Sequence, residues 1–359
     1  MKKKKRVQAS APAKIILAGE HAVVYLRPAL LSACDTRATV TITSSPDKKI
    51  HTRIPALHLA TSYTVDEILL HTKKQRSNWE KFQENRDVAL LKKGKEKKDH
   101  LIQTAIGEAI LAYDLPKEPF DLTLTSEIPI GANMGSSAAV AASVITALFA
   151  WHGLPFSKDR INSVTYEVEK RQHGSPSGGD NSIVVFGGTI WFRKETETLK
   201  IIQPLPFLTT LPDLYLIDTG TPSQTTGEMV AMVKESYLAN PSVLEKIFTE
   251  MENHTKKLFT SLDHKDTSKI ADIWKAYHRC LVALQVVPTP IQELITALEN
   301  IGASAKIQGA GARYGSSAGQ ILVYTQDTKK LLPFLRKTKL PHSKARLGAR
   351  GVTVERKIL

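Results

Sequence analysis

The stretch Pro129-Ile-Gly-Ala-Asn-Met-Gly-Ser-Ser-Ala-Ala139 constrains this chain more than any other. A strand-like segment, Phe120 to Ile128, precedes it. An apolar run from Ala138 to Trp151, too long for an ordinary strand, follows it. Strand, small-residue loop and helix, in that order, aim free backbone N–H groups and the positive end of a helix at an anion. Glycine lets the backbone come close to a phosphate, and two serines at the helix start can cap N–H groups or reach a metal. No Gly-Lys-Ser/Thr closes the loop, so it is not a Walker A motif. Alone, it reads either as an anion cradle or as a plain helix cap.

The 359 residues suffice for about two domains, and 42% hydrophobic with 23% charged residues is a globular composition. Cys34 and Cys280 lie far apart without metal-ligand spacing, which argues against a disulfide scaffold or a zinc site and fits a reducing cytosol. The formal charge of +14 is partly local: Lys2 to Arg6 form one basic run, and Lys92, Lys93, Lys95, Lys97 and Lys98 crowd a second. Such charge attracts nucleic acid, anionic lipid or a phosphorylated small molecule, but no aromatic residues interleave the runs, and solvated tail plus solvated loop is the plainer reading. The N-terminus lacks the apolar core of a signal peptide, and Ala138–Trp151 is too short to span a bilayer. The expectation is a cytoplasmic protein with no membrane partner and no specific nucleic-acid partner.

Taken in order, Lys14 to Ala18 reads as a buried strand, Gly19-Glu20-His21 as a tight turn, and Ala38 to Thr43 as a strand leading to a hairpin-like connection at 44–49. A helical pattern begins at Val65, but 72–98 is weakly patterned and reads as a mobile helix or lid. Asp99 is placed to cap a helix from His100 to Tyr113, and Ser157 another through about Gln172. The turn-rich segment His173 to Asn181 follows. Strands are expected at 214–218, 320–324 and 351–355, and a strand end running into glycines at 306–311, with helices over 227–262, 266–285, 288–301 and 329–337. The order is α+β, with two halves meeting between 190 and 215.

Four segments together resemble one family. Pro12 to Tyr25, Pro129 to Ala138 and Lys306 to Gly311 resemble the three motifs of the GHMP kinases. Gly174-Ser-Pro-Ser-Gly-Gly-Asp-Asn181 and the Gly-Glu-His-Ala-Val-Val form resemble the branch that phosphorylates mevalonate. The resemblance implies an N-terminal ATP-binding α+β domain over 1–200 and a C-terminal ferredoxin-like α+β domain over 201–359. It implies ATP-dependent transfer of phosphate to the primary hydroxyl of (R)-mevalonate, in isoprenoid biosynthesis. Phosphomevalonate kinase, galactokinase and homoserine kinase are the neighbouring alternatives, and a basic nucleic-acid-binding protein is the remote one. The sequence leaves oligomeric state open, a homodimer being one option.

Residue by residue, the resemblance implies that Asp180 takes the hydroxyl proton and that Lys14 helps neutralise the transferring phosphoryl group. Glu169 and Ser137 would hold Mg2+. Ser126, Gly131, Ala132, Asn133, Met134, Gly135, Ser136 and Ser137 would hold ATP. Glu20, His21 and Thr226 would face the substrate. Phosphoryl transfer asks for positioning and charge, and one carboxylate, one hydroxyl and phosphate oxygens suit magnesium. Each residue also has a plainer role: Asp180 as a cap, Glu169 as an exposed helix charge, His21 as a structural histidine, Lys14 as a snorkelling strand end. The chain departs from the family at Leu26, where a glycine is usual, at Asn133-Met134, and at Ala312-Arg313-Tyr314, where Arg313 is a candidate anion contact. Leu26 matters if its turn needs a positive φ, which Asn133 would tolerate better.

Overall fold

The computed structural model describes residues 5–129, 131–206, 211 and 214–358. Lys2 to Lys4 of the first basic run, and Ile130 of the loop, lie outside the described residues. The strands are β1 (Lys5–Ala18), β2 (Ala29–Ser44), β3 (Ile50–Ile54), β4 (Leu59–Tyr63), β5 (Phe120–Ser126), β6 (Thr189–Lys194), β7 (Lys200–Pro204), β8 (Leu214–Asp218), β9 (Ser304–Ile307), β10 (Gln320–Tyr324), β11 (His342–Lys344) and β12 (Thr353–Ile358). The helices are α1 (Val65–Asn85), α2 (Val88–Lys92), α3 (His100–Tyr113), α4 (Ser136–Trp151), α5 (Lys158–His173), α6 (Gly179–Phe186), α7 (Thr226–Ala239), α8 (Pro241–Asp263), α9 (Ile270–Ala283), α10 (Thr289–Asn300) and α11 (Thr328–Thr338).

Two sheets organise the fold. The larger runs β12-β1-β2-β5-β3-β4, with β6 and then β7 continuing from the other half of β2. The smaller runs β11-β8-β10-β9 with every neighbour antiparallel. That order, with helices between β8 and β9 and again between β10 and β11, is the ferredoxin-like split arrangement. The last strand leaves the smaller sheet and returns to pair with β1 from Lys5↔Ile358 to Ser10↔Thr353.

Helix α4 is the axis of the first layer. Every residue from Ala138 to Trp151 is buried, because the helix packs on β1 and β2 with one side and on α3, α5 and α6 with the others. A helix apolar all round has to be enclosed in this way. Around it, Glu108 of α3 is buried between two guanidinium groups. Arg76 of α1 reaches it at 2.5 Å and Arg171 of α5 at 3.2 Å. This pairing ties α5, the helix that carries Glu169, to the rest of the layer.

The structure corrects several expectations. The segment 44–49 is not a hairpin connection, because β5 lies between β2 and β3 and pairs parallel with β3. The weakly patterned stretch after Thr72 continues as α1 to Asn85. Its start is secured by a capping box in which Thr64 and Glu67 exchange hydrogen bonds. Asp99 precedes α3 but does not cap it. Its carboxylate accepts instead from Thr61 Oγ1 at 2.5 Å and Gln103 Nε2 at 3.0 Å, so it joins β4 to the helix. Ser157 does cap α5, accepting from the Arg160 N–H. Leu26 stands at φ 62, so the turn does need a positive φ, and leucine holds it without glycine's freedom. Cys34 and Cys280 are both buried and free. Among the described residues no helix is long and apolar enough to cross a membrane.

Candidate functional site

The site begins where β1 bulges. Its register against β2 shifts between Pro12 and Ala13, and a bulge re-aims the side chain that follows. The Lys14 N–H then donates to the Met134 carbonyl at 2.9 Å, so the strand is stitched to the small-residue loop. The Lys14 stem lies under Gly135, where a Cβ would sit 2.6 Å from Lys14 Cγ. Gly135 has φ 70 and occupies the position before the first turn of α4. Close approach and positive φ both require glycine there. The free N–H groups of α4 and the Lys14 ammonium therefore converge beside one loop.

Asp180 reaches the same point from α6. Its carboxylate is 3.1 Å from Lys14 Nζ; the lysine side chain is 5% exposed and the aspartate 39%. The aspartate thus opens to solvent while its partner is enclosed. Helix α6 starts after Gly178 at φ 91, and Asp180 sits in its first turn, where the helix dipole favours a carboxylate.

Glu169, from α5, is 2% exposed, and its Oε1 has no hydrogen-bond partner. Burial first, and the neighbouring Asp180 second, push its pKa up to about 8 against the pull of the Ser137 hydroxyl, Lys14 and Lys95. Ser137 lies 3.2 Å from Nε2 of His173, one turn beyond Glu169 on the same face, and that nitrogen is 3.7 Å from the Glu169 carboxylate. Burial and then Lys95 lower His173 to about 4, so at neutral pH its ring is uncharged. Lys95 donates to the Gln172 carbonyl at 2.7 Å at the end of α5, and burial lowers it to about 8. The second basic run is therefore not wholly a solvated loop. Lys95 is folded against the site, and Lys92 pairs with Glu228 at 2.9 Å. Neither His173 nor Lys95 was expected at the site. The i, i+4 spacing of Glu169 and His173 on one helix was the signal available.

The expected substrate residues diverge. His21 is buried, and its Nε2 meets the Ala310 carbonyl at 3.0 Å. A carbonyl only accepts, so the proton is on Nε2 and Nδ1 keeps a lone pair. Burial lowers its pKa. Glu20, expected to face the substrate, instead turns inward onto Lys306, with both side chains 0% exposed. Thr226 is exposed at the first position of α7, while Thr225 beside it is consumed by a capping box with Glu228. Ser126 Oγ accepts from the Ile128 N–H at 3.1 Å and so shapes the turn into the loop.

The loop also meets the C-terminal motif. Asn133 stands at φ 58, as its substitution for glycine allows. A Cβ on Gly309 would lie 2.7 Å from Asn133 Cβ, so this glycine is what lets the two motifs touch. Of the other loop residues, Ala132 and Met134 are buried, while Gly131 and Ser136 are partly exposed. Arg313 rests on Gln285, and its backbone N–H donates to Gln224 at 3.1 Å.

A family model described as the GHMP kinases N terminal domain matches residues 100–188, from the start of α3 to just past α6. The chain is similar over most of its length to curated relatives. It is 33% identical over 318 residues to a mevalonate kinase of Pyrococcus horikoshii, covering 86% of each chain. It is likewise 33% identical over 315 residues to a mevalonate kinase of Pyrococcus abyssi, covering 85% of this chain and 86% of that one. Its fold matches that of the crystallised Methanococcus jannaschii mevalonate kinase with a TM-score of 0.74 at 22% identity, covering 95% and 98% of the two chains.

Proposed function

The chain belongs to the GHMP kinases and, within them, to the mevalonate kinase family, and we propose that Lys14, Asp180, Glu169 and Ser137 carry its reaction. That reaction is ATP-dependent phosphorylation of the primary hydroxyl of (R)-mevalonate to 5-phosphomevalonate, a step of isoprenoid biosynthesis. The observation that carries the assignment of roles is the Lys14–Asp180 contact of 3.1 Å beside the open end of α4. A primary alcohol is a poor nucleophile. A carboxylate within hydrogen-bond reach accepts its proton as the oxygen bonds to the terminal phosphorus and the bond to the ADP oxygen breaks. Asp180 is that acceptor. Lys14, enclosed and held by its own backbone at Met134, supplies fixed positive charge where negative charge spreads over the phosphoryl oxygens. The N–H groups of 135–137 hold the polyphosphate, and His21 meets the substrate through Nδ1.

The residues present fit a magnesium ion. Glu169 has a buried carboxylate oxygen without a partner, an acceptor left over for a cation. Its neighbour Ser137 is a second oxygen donor. Among the described residues no three His, Cys, Asp or Glu gather around one point, but magnesium keeps waters and phosphate oxygens and needs only one or two protein ligands. When bound, it would neutralise phosphate charge beside Lys14. The two-domain division near residue 200 and a cytoplasmic location belong to the same reading. The reducing compartment accords with the two free, buried cysteines.

Asp180→Ala tests the roles. Turnover should fall by at least about a thousandfold, with the far-UV circular dichroism of a folded protein retained. Turnover within tenfold of the parent would remove Asp180 from the reaction.

A further inference from the structure

His21 sits at φ 57, ψ −49, outside both the right-handed and left-handed helical regions. The Ala22 N–H closes onto the Glu20 carbonyl at 2.6 Å, so His21 is the centre of a three-residue turn of the rare positive-φ kind. A side chain bearing a Cβ stays in such a conformation only where its surroundings leave no alternative. Here the restraints come from the far half of the chain. The Gly19 N–H donates to Tyr277 Oη, from α9, at 2.6 Å. The His21 ring donates to Ala310. Glu20 is bound by Lys306, from β9.

Lys306 is fully buried, yet all three of its N–H donors have acceptors: the Glu20 carboxylate, the Ile16 carbonyl at 2.8 Å and the Ile307 carbonyl at 3.3 Å. It therefore binds the end of β1 and the turn after it with one charge. Tyr277 is fully buried as well, and burial together with the adjacent Glu20 carboxylate keeps its hydroxyl protonated. A buried ion pair is weak evidence for stability but a strong directional constraint. Lys306 feels the Lys14 charge, but the reaction described above gives no role to Lys306, Tyr277 or Glu20.

We infer that Lys306 and Tyr277 are positioning residues, which with Glu20 hold the Gly19–His21 turn in its strained form so that the His21 ring stands ready for the acceptor alcohol. Glu20 acts through this ion pair and not by touching the substrate. The inference rests on the reading of His21 as a substrate contact, and the test separates the two.

Steady-state kinetics of the full chain, varying mevalonate and ATP separately, compare four proteins: the parent, His21→Ala, Tyr277→Phe, and the double variant Glu20→Gln with Lys306→Met, which removes both charges at similar volume. The expected result is a rise of about tenfold or more in the mevalonate KM for all three variants, with the ATP KM changed by less than about twofold. If His21→Ala raises the mevalonate KM while Tyr277→Phe and the double variant leave it unchanged, the positioning role is overturned and the His21 contact stands. If His21→Ala leaves the mevalonate KM unchanged, the contact itself fails and the inference falls with it. Equal changes in both KM values would mean a merely structural role and would also overturn it. Should Tyr277→Phe yield no folded protein, the double variant decides by the same criterion.

Discussion

Gly135→Ala is the sharpest local perturbation of the proposed centre. The new Cβ would stand 2.6 Å from Lys14 Cγ and 3.5 Å from Lys14 Cε. Carbon atoms rest about 3.5–4.0 Å apart, so the Lys14 stem has to move by about 1 Å. The Lys14–Asp180 contact starts at 3.1 Å, and a shift of that size takes it beyond hydrogen-bond range. A misplacement of about 1 Å costs on the order of a hundredfold in rate, which is about 2.7 kcal/mol of transition-state stabilisation. The backbone adds a separate cost, because φ is +70 and an L-residue there loses roughly 1–2 kcal/mol of stability. Gly153→Ala isolates that second effect, since its φ is +76 and nothing lies within 4 Å of its Cβ position. Coupled ADP release gives kcat and urea unfolding gives stability for both variants. Gly135→Ala should lose at least as much stability as Gly153→Ala, and only Gly135→Ala should lose kcat. A Gly135→Ala enzyme with kcat within twofold of the parent, or a Gly153→Ala enzyme as slow as it, would refute the coupling of the loop to Lys14.

Lys306→Met alone leaves the Glu20 carboxylate buried without its partner and should cost about 3–5 kcal/mol in urea unfolding, whereas the double variant with Glu20→Gln should recover most of that. Equal losses in the two would show that the pair is not coupled. Glu228 is held down to about 2, first by the Thr225 backbone N–H, then by Lys92 and the Thr225 hydroxyl. A depressed carboxylate contributes stability above its unfolded pKa of about 4.5 and loses it as pH falls toward 2. Glu228→Gln should therefore cost about 0.5–1 kcal/mol at pH 7, from the capping box at a partly exposed site, and the gap to the parent should narrow at pH 3. A gap that stays constant with pH would show that the charge contributes nothing.

Much of this was legible because local chemistry and tertiary demand coincide. The run Ala138–Trp151 had to be a helix, and the glycines and serines before it had to be a turn and a helix start. Lys14, Asp180, Glu169 and Ser137 stood in segments recognisable by their motifs, and the structure brings them around one loop end. What was not legible depends on partners remote in sequence. Glu20 and His21 are adjacent, but they meet different partners, the Lys306 ammonium and the Ala310 carbonyl, roughly 290 residues away. Asp99 looked like a cap because its position is right, yet Thr61 and Gln103 compete for its carboxylate. The 44–49 connection looked like a hairpin because turn residues specify a reversal, and not which strand pairs next. Lys95 was indistinguishable from its basic neighbours until the end of α5 supplied a carbonyl to bind.

The acceptor alcohol separates a mevalonate kinase from the other small-molecule kinases of the family. ADP release by the purified chain, with ATP and magnesium, should be measured with mevalonate, phosphomevalonate, galactose and homoserine in parallel. Turnover with mevalonate should stand at least about a hundredfold above the others in kcat/KM and be lost in Asp180→Ala. Comparable or greater turnover with any other alcohol, or none with mevalonate, would rule out mevalonate as the acceptor.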